Sequence, residues 1–275
     1  GANIAVGYQA LGADTKGGAN VAIGNFALDA QNFTTATDSY NVAVGHLAGS
    51  AVTTGSKNTL IGGLAGDALT TSNNNLAIGY KALSADTVGT KTTAVGFEAL
   101  MSQNFTTNTD TFNVAVGYTA GREITTGIRN TLIGAESGDA ITAGGNNVAV
   151  GSGSLTTNTL SSHNVAIGNG AMFSHNITTA TDAYNIAIGS SAGASITTGL
   201  YNTLVGGLAG DALTDADFNV AIGVVALSTD TKGSKSIAIG HNTLNSQNFT
   251  TATDTHNVAI GFQAGTGITT GIQNT

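Results

Sequence analysis

A short signature that ends in glycine recurs fifteen times along the chain, and its spacing limits the possible folds more than any other feature. The signature is an apolar residue, usually Ala, then Ile or Val, then Gly, as in "NVAIG" at Asn20 to Gly24. We call the final glycine of each copy the marker glycine; the fifteen are Gly7, Gly24, Gly45, Gly62, Gly79, Gly96, Gly117, Gly134, Gly151, Gly168, Gly189, Gly206, Gly223, Gly240 and Gly261. Successive markers follow at intervals of 17 or 21 in the numbering, and three intervals of 17 with one of 21 make a longer period of 72. Such periods are typical of stacked repeat arrays.

Each repeat is too short to contain a pair of helices, because helical repeats need about 33 residues or more. A β-favouring run followed by residues rich in Ala, Thr, Asn and Gly suits one coil of short strands and turns. The sequence therefore predicts an all-β fold, a parallel β-solenoid or β-roll, with 17- and 21-residue coils in a 72-residue super-repeat. We predict one continuous array over residues 1–275. Since the pattern at Thr275 demands another "LIG", we expect an excerpt of a longer fibre protein.

Composition excludes several functional classes. The 275 residues include eight Lys and Arg against sixteen Asp and Glu, for a net charge of −8, and the basic residues are scattered. The chain therefore has no stripe of basic residues that could follow a phosphate backbone, which argues against nucleic-acid binding. No apolar run approaches the roughly 18 residues of a membrane span, so we expect no membrane insertion by this segment. The chain has 39 Gly and no Cys, Pro or Trp, so its core must consist of thin layers of small side chains.

Two positions in every coil carry structural signals. The marker glycine fits a turn that needs positive φ, or a place too crowded for a Cβ atom. Four residues before it stands Asn in thirteen of the fifteen coils, with Thr92 and Ser236 as the exceptions. This Asn could form a ladder of amide hydrogen bonds along the stack, or act as an ordinary turn residue. The residues concerned are Asn3, Asn20, Asn41, Asn58, Asn75, Asn113, Asn130, Asn147, Asn164, Asn185, Asn202, Asn219 and Asn257.

Most of the strands are apolar at every position, which bears on assembly. In the run Val21, Ala22, Ile23 the side chains alternate between two faces, yet none is polar. A half-exposed strand would carry a polar residue at alternate positions, so both faces are expected to be covered. One face can pack inside the coil. We infer that the other packs against another chain, or against the same chain folded back, and that the protein is a homo-oligomer.

The 21-residue coil, which we call the long coil, predicts a protruding loop because its four extra residues cannot stay in the stack. It carries "QNFTTATD" at Gln31 to Asp38 and related segments at 103–110, 175–182 and 247–254. Candidate contact residues for a receptor, ion or neighbouring fibre are Phe33, Asp38, Phe105, Asp110, Asp182, Phe249 and Asp254. The alternative is that the polar residues only satisfy the turn and that Phe33, Phe105, Ile177 and Phe249 turn inward as anchors. Calcium binding is a weaker possibility, because one Asp per loop supplies little charge.

Catalytic and cofactor chemistry has no support in the sequence. The five histidines, His46, His163, His175, His241 and His256, occupy different coil positions and form no recurring pair. The glycine-rich runs lack the Lys-Ser/Thr ending of a phosphate-binding loop. We therefore expect no enzyme activity, no cofactor and no metal.

The motifs "NVAIG", "NVAVG" and "NIAIG" resemble the head repeats of trimeric autotransporter adhesins. The longer forms "NIAVGYQALGADTKGGANVAIG" and "AGREITTGIRNTLIG" resemble repeats of bacterial and phage tail-fibre-type proteins. The resemblance implies left-handed parallel β-rolls in a homotrimer, on a cell surface or in a virion tail fibre.

Three functions remain open at this stage. The first is a structural fibre shaft that displays an attachment tip, favoured by regular copying. The second is an adhesin head that binds host-surface glycans or matrix protein. The third is ice binding through threonine arrays; pairs such as Thr53 and Thr54 recur, but intervening coils replace them, so a continuous flat threonine face is not expected.

Overall fold

The protein is all-β. The computed structural model describes residues 1–275 and contains 23 short strands and no helix, and every strand pairing is parallel. About fifteen coils, most of them at the shorter of the two repeat spacings, form a parallel β-solenoid, so the predicted fold class is confirmed.

The chain divides into two compact units, residues 1–135 and residues 136–275. A single array over 1–275 stays a prediction. In the first unit, three-residue strands form the ladder: β1 (Ile4–Val6), β3 (Val21–Ile23), β5 (Val42–Val44), β6 (Thr59–Ile61), β7 (Leu76–Ile78), β9 (Thr93–Val95), β11 (Val114–Val116) and β12 (Thr131–Ile133). In the second unit the equivalents are β13 (Val148–Val150), β15 (Val165–Ile167), β17 (Ile186–Ile188), β18 (Thr203–Val205), β19 (Val220–Ile222), β21 (Ile237–Ile239) and β23 (Val258–Ile260).

Strand register is the same across short and long coils. Ala5 pairs with Ala22 across a short coil, and Ala22 pairs with Ala43 across a long coil, so the middle strand residues match in both cases. The extra residues of the long coil are therefore accommodated outside the ladder. β-branched Val and Ile fill most outward strand positions because they fit a pleated, packed surface.

Two-residue strands return each long coil to the stack. In the first unit these are β2 (Gly17–Gly18) with β4 (Thr37–Asp38), and β8 (Gly89–Thr90) with β10 (Thr109–Asp110). In the second unit they are β14 (Ser161–Ser162) with β16 (Thr181–Asp182), and β20 (Gly233–Ser234) with β22 (Thr253–Asp254). The end of each loop thus pairs with the preceding coil.

The core of each unit is a thin stack of small and medium side chains. The middle residue of nearly every three-residue strand is buried, and in most coils it is Ala, as at Ala22 and Ala43. Two further core positions compensate for each other. These are the positions four and seven residues after the marker glycine. Where the fourth residue is Leu, such as Leu28, the seventh is polar, such as Gln31. Where the fourth residue is Gly, the seventh is apolar, such as Val52. Polar and apolar layers therefore alternate in pairs along the core.

Candidate interaction surface

All marker glycines except Gly261 form a tight contact with the next coil. Their φ angles lie between 127° and 146°. A Cβ atom on Gly62 would be 2.4 Å from the carbonyl oxygen of Gly79, and one on Gly117 would be 2.3 Å from that of Gly134. Both physical reasons for glycine, positive φ and crowding, are thus present, and no larger residue fits this corner.

The repeated asparagines do form a ladder, but it runs through the backbone. Asn41 Oδ1 accepts a hydrogen bond from the backbone N–H of Asn58, at 2.9 Å, and Asn58 Oδ1 accepts one from the backbone N–H of Asn75, at 3.0 Å. The amide nitrogen of Asn58 also donates to the carbonyl of Ser72. Side-chain amides therefore mainly satisfy backbone groups, since buried N–H and C=O groups need partners. Direct amide-to-amide contacts occur only in places, as between Asn202 and Asn185 at 3.2 Å.

The outward side chains of the three-residue strands form an apolar surface, which we call the outer face. It consists of the residues three and one before each marker glycine, all apolar except for Thr at the first position in four coils. Ile61, Ile188 and Ile222 are 36%, 37% and 38% exposed. The inward face is covered by the coil itself, whereas the outer face is open in the single chain. Contiguous exposed apolar surface of this kind marks an interaction site.

The long loops expose their polar tips and bury their apolar residue. The tips, residues 34–36, 106–108, 178–180 and 250–252, are exposed. Of the two alternatives for Phe33, Phe105 and Phe249, contact residue or inward anchor, the structure has the inward one, because these side chains are only 7–8% exposed. They and Ile177 turn inward because a loop that leaves the stack needs an apolar anchor. The predicted contact residues Asp38, Asp110, Asp182 and Asp254 are exposed.

A buried polar layer holds each long loop to the core. Asp86 accepts hydrogen bonds from the backbone N–H groups of Gly89 and Phe105 and, at 2.7 Å, from Gln103 Nε2. Gln103 Oε1 in turn accepts one from Asn113 Nδ2. Burial raises the pKa of Asp86, since the charged carboxylate loses its hydration there.

In the third super-repeat, two uncharged side chains replace this pair. Asn158 and His175 stand where the second has Asp86 and Gln103. The hydroxyl of Ser161 lies 2.9 Å from His175 Nε2 and 2.6 Å from Asn158 Oδ1. Burial lowers the pKa of His175 to about 4, so the ring is neutral in the folded protein near neutral pH. The loop anchor therefore depends on uncharged hydrogen bonds here.

One exposed column of residues flanks the outer face, and sequence reasoning missed it. It consists of the residue five positions before each marker glycine, and we call it the edge column. From Ala19 to Gln273 these residues have φ between 49° and 62°, including bulky Tyr and Phe. In most short coils the N–H group of this residue bonds to the preceding coil, as from Lys57 to the carbonyl of Ser39 at 2.7 Å, which stabilises the left-handed conformation. In the long coils the residue just before it makes this bond, as from Ser39 to the carbonyl of Gly18. The signal in the sequence was the concentration of aromatic and basic residues at this position.

Aromatic side chains of the edge column stack along the second unit. Ring centroids are 4.9 Å apart for His163 and Tyr184, 5.9 Å for Tyr184 and Tyr201, and 4.9 Å for Tyr201 and Phe218. The planes are within 23° of parallel. Stacked rings cover one another's faces and expose their edges, so this run extends the apolar outer face sideways.

The exposed aspartates of three long coils pair with the edge column of the preceding coil. Lys91 pairs with Asp110, Lys235 with Asp254, and His163 Nδ1 lies 3.1 Å from Asp182. The Lys91 ammonium, followed by the Thr90 hydroxyl, holds the pKa of Asp110 below its usual value. These three predicted contact residues are therefore engaged within the chain.

A continuous column of Thr and Asn, also missed from the sequence, lies eight residues after each marker glycine. Thr53 Oγ1 donates to the carbonyl of Thr70, and Thr70 Oγ1 donates to that of Thr87. The column is a single row, and these hydroxyls donate along the stack. Threonine spacing relative to the marker, rather than threonine pairs, was the informative signal.

No group of three or more His, Cys, Asp or Glu side chains is placed to hold a metal ion, and no helix could cross a membrane. Comparison of the chain with models of protein families, with curated proteins and with solved structures found no match. Function must therefore be argued from the surface of the solenoid.

Proposed function

We propose that the chain is a structural shaft of an extracellular or virion fibre, assembled as a homo-oligomer, with three chains as the favoured number, that displays an attachment tip. The observation that carries this proposal is the outer face, which repeats in every coil and is open in the single chain. A fibre shaft needs such a repeated lateral surface, whereas an enzyme needs one local site. We propose no catalytic role and no cofactor.

The size of the outer face supports burial between chains. Over the fifteen coils, each about 4.8 Å high and three extended residues, or about 10 Å, wide, the outer face covers roughly 700 Å². A standard specific interface buries about 800 Å² on each partner. A second copy offers the same periodic surface, so parallel chains can match coil for coil. Cell-surface or virion location is part of the same proposal.

Charge substitution on the outer face tests the assembly. Ile188→Asp places a carboxylate in the middle of the outer face, where assembly would leave it buried without a partner. We expect the variant to sediment as a monomer while retaining its β-sheet circular dichroism. Thr179→Asp, on the exposed tip of the same coil, is the matched control and should assemble normally. Equal assembly of both variants would contradict the proposed interface.

An adhesin head that binds host glycans or matrix is the second candidate, and the exposed loop tips favour it. Replacing the three tip residues 34–36, and their equivalents at 106–108, 178–180 and 250–252, with glycine should preserve folding, because the strands on both sides of each loop are unchanged. Attachment of protein-coated beads to host cells should then fall if the tips bind. Unchanged attachment by a properly assembled protein would leave the loops a structural role only.

A further inference from the structure

The long coil of the first super-repeat differs from its equivalents at one small surface, formed by Asp38, Tyr40 and the preceding edge-column residue, Ala19. In the other three super-repeats that edge-column residue is Lys91, His163 or Lys235. In the first it is Ala19, and the residue before it is Gly18 where the second has Thr90.

The second super-repeat shows what the full arrangement holds. Lys91 Nζ pairs with Asp110 Oδ2 and lies 5.2 Å from the ring centroid of Phe112. Thr90 Oγ1 donates to the other carboxylate oxygen of Asp110 at 2.7 Å. One ammonium group therefore satisfies a carboxylate and an aromatic face together.

In the first super-repeat the same carboxylate and ring are present without the ammonium. Asp38 is exposed and its carboxylate has no hydrogen-bond or ion-pair partner in the structure. Tyr40, at the position of Phe112, is 57% exposed. The edge-column residue of the following coil is a cation in both super-repeats, because Lys57 stands where the second has Arg129. The missing cation is thus the one in the preceding coil, where Ala19 replaces the lysine that corresponds to Lys91.

We propose that Asp38 and Tyr40 bind a protonated primary amine, supplied by a lysine side chain on the surface of another protein. The Ala19 step leaves room for the incoming side chain, the carboxylate pairs with its ammonium, and the Tyr40 ring supplies a cation–π contact. The net charge of −8 attracts cationic partners over a longer range. A sugar could also contact an aromatic ring and a carboxylate, but two of the three equivalent surfaces of this chain hold lysine. This proposal goes beyond the shaft function and does not depend on it.

The test uses Nα-acetyl-lysine amide, whose side-chain amine stays protonated, as the probe. The readout is the ring resonances of isotope-labelled Tyr and Phe. The assembled protein should show a saturable shift at Tyr40 and none at Phe112. N-acetyl-norleucine amide, which lacks the charge, and a neutral methyl hexoside should give none. A Tyr40 shift as large with either neutral probe would overturn the proposal in favour of apolar or saccharide binding.

Two substitutions exchange residues that the chain already uses at equivalent positions, so both should fold. Ala19→Lys supplies an internal ammonium and should abolish the Tyr40 response. Lys91→Ala should create a second response at Phe112. Asp38→Asn should weaken binding about two- to fivefold, the loss of one exposed ion pair, whereas Asp110→Asn should leave Tyr40 binding unchanged.

Sedimentation of each variant separates a binding defect from an assembly defect. The proposal is overturned if properly assembled Ala19→Lys still responds at Tyr40, or if Lys91→Ala gives no response at Phe112. Failure of the unmodified protein to assemble would count against the shaft and not against this surface.

Discussion

Two adjacent glycines give a sharp test of how the coils pack. Gly62 is a marker glycine with φ of 132°, and an added Cβ would lie 2.4 Å from the Gly79 carbonyl oxygen. Its neighbour Gly63 has no positive φ, and the nearest atom to an added Cβ is a Tyr80 ring carbon at 3.6 Å, an ordinary contact. Gly62→Ala and Gly63→Ala thus add the same methyl group one residue apart.

The magnitudes follow from these geometries. Backbone strain at Gly62 costs about 1–3 kcal/mol. Relief of the clash requires the coils to separate by about 1 Å, which weakens the 2.7 Å bond from the Gly79 N–H to the Ile61 carbonyl and adds about 1–2 kcal/mol. Gly62→Ala should therefore destabilise by about 2–5 kcal/mol. Gly63→Ala should stabilise by about 0.4–1 kcal/mol, because it restricts only the unfolded chain.

Denaturant unfolding followed by far-UV circular dichroism measures the difference, and hydrogen exchange of the peptide covering residues 59–80 shows whether the loss is local. A local effect is expected because each coil contacts only its neighbours. Equal stability of the two variants would refute the assignment of the marker glycines to a crowded, positive-φ corner.

Two further predictions concern strain and protonation. Val225 is β-branched with φ of 51°, so Val225→Gly should raise the unfolding free energy by up to about 1 kcal/mol, whereas Val225→Ala should raise it less; a large loss with Gly in thermal unfolding would contradict the strain. The pKa of His175 falls from 6.5 to about 4 on folding. The stability that the neutral ring supports is therefore present above pH 6.5, and the free energy of unfolding falls by up to about 3 kcal/mol as the pH falls towards 4. His175→Gln, which restores the residue of the other super-repeats, should remove this part of the acid sensitivity; identical pH profiles of unfolding for the two proteins would show that the pKa of His175 does not change on folding.

The fold was predictable because its controlling feature is periodic. The marker glycines set the coil length, and the apolar strands predicted an inward face that packs inside the coil; a cover for the outer face stays a prediction. The direction of the Phe33 side chain does not follow from the sequence, since the four extra residues fix only that a loop leaves the stack. Pairing between Asp110 and Lys91 lay beyond sequence reasoning because the partners are 19 residues apart, a separation that corresponds to no repeat length.

Backbone conformation in the edge column was also not predictable from residue type. Tyr40 and Phe112 favour extended structure, yet both are left-handed with φ near 50°. The stack overrides the local preference, because the residue just before each of them is held by the preceding coil: the N–H groups of Ser39 and Thr111 bond to the carbonyls of Gly18 and Thr90. The aromatic stack from His163 to Phe218 follows from that conformation and therefore emerged only with the structure.

The central claim, that the outer face is buried between copies of this chain, is tested most directly by sedimentation equilibrium of the unmodified protein. We expect a concentration-independent mass of a small whole number of chains, three being favoured. The outer-face residues Ile188 and Ile222 should then be protected from resonance broadening by a soluble paramagnetic probe. A stable, soluble monomer in which these isoleucines stay exposed would contradict it.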